Sequence, residues 1–148
     1  MSDASPPLYW SREYTDRLVA ELRKDPAFLA AAKSFDDVIV LRCLDAPGGL
    51  DVQASYRIQK GTVELTRREE PAPSQALRSE PFDKSKQMAR TTAPFSLWTK
   101  LDRGQMSVLG ALASPEYAVE GSKLRIMANI GLLNAMNAVA ARVPKRYT

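Results

Sequence analysis

Residues 37–66 read DVIVLRCLDAPGGLDVQASYRIQKGTVELT, and this stretch decides the fold class. DVIVLRCL (37–44) is a strongly apolar run rich in β-branched residues, and APGG (46–49) is a turn. VQASYRIQ (52–59) alternates without a break. Val52, Ala54, Tyr56 and Ile58 fall on one side, and Gln53, Ser55, Arg57 and Gln59 on the other. A strand with that period has one buried and one wet face, as in an antiparallel sheet. Lys60-Gly61 marks a tight turn, and TVELT (62–66) alternates again through Val63 and Leu65. Three strands joined by such short turns predict a meander.

Toward the N-terminus the period lengthens to that of a helix. Tyr14, Leu18, Val19 and Leu22 form an apolar stripe within residues 11–24, with Ser11 as N-cap and Glu13 in the first turn. A second short helix is expected after Asp25, with Pro26 at its first position and Phe28 and Leu29 buried. Residues 1–10 are expected to form a tail.

Toward the C-terminus, residues 67–86 carry three prolines and many charges, which predicts a long loop and a candidate lid. QMARTT (87–92) is a fourth, short strand. Pro94 opens a helix bearing Phe95, Trp98 and Leu101, and Gly104 closes it. Residues 105–113 read as helical through Met106, Leu109 and Leu112, and Ser114-Pro115-Glu116 starts a short helix ending near Gly121. SKLRIMANIG (122–131) is expected as the fifth strand, with Leu124, Ile126 and Ala128 opposite Arg125, Met127 and Asn129. Asn129 is then placed to cap a last helix running to about Arg142, with Pro144 as its stop. No repeat or linker divides the chain, so residues 1–148 are expected to form a single domain. Its order predicts an α+β class: two layers, a five-stranded, mainly antiparallel sheet, and helices on one face.

Composition narrows the function. The 148 residues contain no histidine, which removes histidine-based triads and the commonest metal ligand and general base. No catalytic residue, metal site or cofactor is assigned. The single cysteine, Cys43, lies in an apolar strand, where a structural thiol is expected rather than a nucleophile. It also excludes an internal disulfide, which fits a reducing cytoplasm. No apolar run approaches the ~18 residues of a membrane span, and MSDASPPLYW (1–10) lacks the features of a secretory leader. The C-terminal Lys145-Arg146-Tyr147-Thr148 is not the peroxisomal Ser-Lys-Leu signal. A net charge of +4 spread along the chain argues against nucleic acid as a partner.

The C-terminal third resembles the sterol carrier protein (type two) family. The features that carry the likeness are the helix from Trp98 to Gly104, Tyr117-Ala118-Val119-Glu120-Gly121, Lys123-Leu124-Arg125-Ile126, and Asn129-Ile130-Gly131 leading into the helix that begins Leu132-Leu133. The likeness is specific over residues 95–137 and topological over 11–92. Residues 105–113 are additional to the family pattern, and Ala128 stands where the family has a glycine. The resemblance implies a hydrophobic tunnel between sheet and helices, and binding and intracellular transfer of a fatty acid, acyl-CoA, sterol or isoprenoid lipid without catalysis.

Inward strand positions and the apolar faces of the later helices would line such a tunnel. The candidates are Ile39, Leu41, Ala54, Tyr56, Met88, Phe95, Trp98, Met106, Leu109, Ile126, Leu132, Leu133 and Met136. Met127 joins Met106 and Met136 as a flexible thioether suited to varied guests. Lys123, Arg125, Arg142, Lys145 and Arg146 give a basic chain end that would attract an anionic membrane surface or a CoA phosphate. Two alternatives stand beside the carrier. One is an accessory protein presenting a lipid-like intermediate to a lipid-metabolising enzyme. The other is an enzyme using a buried carboxylate, with Asp45, Glu64, Asp102 and Glu116 as candidates.

Overall fold

The structure, a computed structural model, describes residues 5–148. Two helices open it, α1 (Arg12–Leu22) and α2 (Pro26–Ala31). The Ser11 hydroxyl accepts from the Tyr14 N–H, and the Asp25 carboxylate from the Phe28 N–H, so both caps lie where the sequence puts them. The meander follows as β1 (Asp36–Ala46), β2 (Leu50–Gln59) and β3 (Thr62–Pro71). Then come α3 (Gln75–Arg78), β4 (Ala89–Pro94), α4 (Phe95–Asp102), α5 (Val108–Leu112), β5 (Ala118–Gly121), α6 (Lys123–Ala128) and α7 (Ile130–Arg142).

The sheet is ordered β3-β2-β1-β4-β5. Three of its pairings are antiparallel, and the β1–β4 pairing is parallel. Its inner face carries Ile39, Leu41 and Cys43 of β1, aligned with Tyr56, Ala54 and Val52 of β2 and with Ala89, Thr91 and Ala93 of β4. Helices α1 and α4 pack against the sheet, and α7 is the hub that α1, α2, α4, α5 and α6 contact.

Several expectations are overturned. Residues 5–10 are no free tail, because Tyr9 and Trp10 are core residues. The Tyr9 N–H donates to the Arg146 carbonyl and the Arg146 N–H to that of Pro7, on either side of the Leu8–Arg146 bridge. Residues 1–4 of that expected tail lie outside the described residues. The expected loop at 67–86 is largely ordered. Residues 67–71 complete β3, and the following segment forms a strap with the α3 turn capped by Ser74 and Leu77 fully buried.

The fifth strand is Ala118–Gly121, which replaces the short helix expected to end near Gly121, and 122–131 is helix α6 followed by the start of α7. The alternation of Leu124, Ile126 and Ala128 is misleading, because only Ile126 is buried; Leu124 is 85% exposed. A helix capped by Ser122 needs one inward residue per turn, and six residues are too few to tell that pattern from alternation. Asn129 does not cap α7 with its side chain. Its amide instead donates to the Arg125 carbonyl and contacts the Met88 sulfur.

Gly121 locks β5 onto β4. Its φ of 129° favours glycine, and a Cβ there would collide with the Met88 carbonyl oxygen.

Candidate lipid-binding hollow

Between the inner face of the sheet and the helical layer lies an apolar hollow of about 80 Å³. Ile39 and Leu41 of β1 and Tyr56 of β2 form its floor, and Trp98 and Leu101 of α4 one wall. Leu133, Met136 and Ala140 of α7 face it, as do Tyr14, Thr15 and Leu18 of α1. Tyr9, Trp10, Val108, Asn137 and Tyr117 complete the lining. Its volume is well below the roughly 300–1,000 Å³ of ordinary ligand pockets.

Of the thirteen residues singled out from the sequence, the hollow brings together Ile39, Leu41, Tyr56, Trp98, Leu133 and Met136. Ala54 and Leu132 are buried in the surrounding core, and Phe95 and Met106 pack at its edge. Met88 and Ile126 are buried but line no part of this hollow. Leu109 is 56% exposed and faces solvent, because α5 turns Val108 and Ala111 inward instead.

Sequence reasoning missed Tyr9 and Trp10, which sit behind two prolines in a segment with no periodicity. Their closeness to Tyr14, three aromatics within a short stretch, was the available signal. Tyr9 meets Tyr14 edge to face at 5.0 Å, Trp10 lies 5.3 Å from Trp98, and Trp98 lies 5.7 Å from Tyr117. Trp10 has a φ of 69°, a left-handed conformation held by Arg67, whose Nη2 donates to the Trp10 carbonyl at 2.6 Å.

The lining offers no charged group. Burial raises the Tyr9 and Tyr14 hydroxyls well above the usual tyrosine range, and Asp102 adds to this in both. Tyr56 is raised by burial as well, with the Arg67 cation opposing. All three stay neutral at physiological pH. Cys43, on the same inner face, is fully buried, and burial pushes its thiol up too.

Of the four candidate carboxylates, only Asp102 is buried. It is closed off by its own partners. Lys145 Nζ donates to its oxygens at 2.7 and 2.6 Å, and the Tyr147 hydroxyl donates at 2.6 Å. Burial lowers the Lys145 ammonium's pKa while Asp102 opposes the change. Tyr147 is pushed up to about 12 by burial and Asp102. The basic chain end is therefore partly spent within the fold: Lys145 pairs with Asp102, Arg142 with Asp25, and Arg125 with Asp37. Among the described residues no cluster of three or more Cys, Asp or Glu is placed to hold a metal, and no helix is long and apolar enough to cross a membrane.

No family model and no curated protein matches the sequence. Solved structures do match. A crystal structure of sterol carrier protein 2 superposes with a TM-score of 0.70 at 11% identity, covering 91% of this chain and 98% of its own. A solution structure of a conserved hypothetical protein from Thermus thermophilus gives 0.69 at 14%, covering 99% and 97%. The sterol carrier protein domain 2 of Helicoverpa armigera gives 0.60 at 13%, covering 99% and 100%. Nearly full coverage at these scores shows that the chain has the sterol carrier protein 2 fold.

Proposed function

We propose that the protein binds a lipid in the hollow between sheet and helices and carries it without chemical change. The observation that carries this reading is the lining itself: aliphatic and aromatic side chains from both layers, with tyrosines held neutral, around a space that is already open. Transfer of an apolar chain into such a lining releases about 0.8 kcal/mol per methylene. A tail of roughly fourteen carbons thus has a gross driving force near 11 kcal/mol, and association and ordering consume several of these.

At about 80 Å³ the resting hollow is too small for such a tail, so loading requires the helical layer to lift from the sheet. The N-terminal segment and α1 form the side best suited to move. Tyr9 and Trp10 are tied there by Arg67 and by the bridge to Arg146, with no strand pairing of their own to break. The guest replaces contacts between apolar side chains with equivalent ones, which keeps the opening inexpensive and the ligand choice broad. Fatty acid, acyl-CoA, sterol and isoprenoid lipids all meet that requirement, and the sterol carrier protein 2 neighbours support it.

Delipidated protein mixed with myristate and examined by native mass spectrometry is expected to show a one-to-one adduct. Quenching or shifting of Trp10 and Trp98 emission should accompany it. Failure to take up myristate, cholesterol or a prenyl alcohol overturns the reading.

Presentation of the lipid to a partner enzyme or a membrane is the second reading, favoured by the exposed Leu124 and Met127 on α6. Co-purification of an enzyme from the native cell separates presentation from free carriage, which gives the protein alone.

A further inference from the structure

The outer face of the sheet, opposite the hollow, carries an unusual row of polar residues. Gln53 of β2, Arg42 of β1 and Thr92 of β4 are direct cross-strand neighbours. Arg42 is only 2% exposed, and its Nε and Nη2 have no hydrogen-bond partner. Gln53 Oε1 and Thr92 Oγ1 on either side are also buried and unpartnered. Nε and Nη2 form the edge of a guanidinium that grips a pair of oxygens.

Three other arginines on this side of the sheet show what that edge does when occupied. Arg78 gives Nε and Nη2 to the two oxygens of Asp51 at 2.8 and 3.0 Å. Arg68 gives Nε to Glu70 at 2.6 Å, and Arg90 gives Nε to Glu120 at 2.8 Å. Arg42 alone among these four has an empty fork. The nearby carboxylates are engaged elsewhere, Glu120 with Arg90 and Glu80 with Arg68. A guanidinium stays charged under physiological conditions, so an unpaired one in the interior leaves a large desolvation cost uncompensated.

From this row we infer a binding site for a small oxyanion, a phosphate or carboxylate group, seated between the strap and the sheet on the Arg42 fork. Thr92 supplies a hydroxyl donor. Gln53 supplies an amide whose two ends exchange by rotation, presenting N–H to the anion. The strap covers this face of the sheet. Between Arg78 and Met88 it is tied down by Arg68 to Glu80, by Arg90 to the Glu80 and Pro81 carbonyls, and by the Arg90–Phe82 contact. Residues 83–86 are exposed. The site lies across the sheet from the lipid hollow and is independent of it.

The test is thermal unfolding of the full chain at pH 7 in sodium phosphate, sodium acetate and sodium chloride of matched ionic strength. Wild-type protein is expected to gain several degrees, saturably, in phosphate or acetate over chloride. The arm that responds identifies the anion's class. Arg42→Lys keeps the charge but loses the planar fork, and Arg42→Met removes both. Each is expected to lose the specific gain. Arg42→Met should be at least as stable as wild type in chloride, and Arg42→Lys carries the test should Arg42→Met not fold. No gain in wild type, or an equal gain in both variants from general salt effects, overturns the site.

Discussion

Trp98 Nε1 donates a 2.9 Å hydrogen bond to the main-chain carbonyl of Arg42, joining a wall of the hollow to the central strand of the sheet. The indole is buried, so its N–H has no access to water, and the carbonyl it satisfies lies deep in β1. Trp98→Phe keeps the aromatic contacts but removes that hydrogen bond. The expected cost is about 1–3 kcal/mol in urea unfolding. A change below about 0.5 kcal/mol would show that the bond does not anchor α4.

Asp51 performs a comparable task for the strap. Its carboxylate is fully buried and accepts from both Arg78 fork nitrogens, the Ser74 N–H and the Asp45 N–H. Burial pushes this carboxyl up, but the Arg78 fork and the two backbone donors outweigh it and hold the pKa at about 2. Because the folded value lies below the unfolded one, the stabilisation is complete above about pH 4 and is lost as pH falls toward 2. Asp51→Asn should remove about 2 kcal/mol at pH 7 and flatten that acid limb. Limited proteolysis should also cut faster between residues 79 and 87. Unchanged cleavage would mean that the strap is held by Leu77 alone.

How far the sequence revealed this architecture depended on how many residues each signal spanned. The eight-residue alternation over 52–59 in β2 and the caps Ser11 and Asp25 were readable because local chemistry and tertiary burial agree there. The exchange of helix and strand at 114–131 arose where elements are four and six residues long. In Ala118–Gly121 the pairing with β4 supplies what propensity does not. Six of the hollow's residues were legible because they lie on long elements with a clear inner face. Tyr9 and Trp10 were not, since their burial depends on a bridge to Arg146, far along the chain. The orphaned fork of Arg42 was equally invisible, because it requires knowing which carboxylates the other arginines have taken.

Gly121 provides a sharp test of the β5 placement. Alanine there meets both an unfavourable φ and the Met88 carbonyl oxygen, which its Cβ would overlap. Gly121→Ala should cost roughly 2–4 kcal/mol. In hydrogen exchange the loss of protection is expected first at Ala89 and Thr91, the partners of Gly121 and Val119. Ala128→Gly, on an exposed helical position, should cost no more than about 1 kcal/mol. A tolerated Gly121→Ala would contradict the β4–β5 register.

The decisive prediction concerns the hollow, because size and chemistry can be varied there separately. Ala140 of α7 lines it and is half-buried, so a larger side chain can enter the open space without displacing a packed neighbour. Ala140→Phe should reduce myristate uptake at least tenfold while leaving the unfolding midpoint within a few degrees of wild type, since filled space offsets strain. Tyr56→Phe removes a hydroxyl but keeps the shape, and uptake should change less than threefold if apolar transfer dominates. Should Tyr56→Phe abolish uptake and Ala140→Phe leave it intact, the guest is held by a polar contact at the sheet rather than by the volume between the layers.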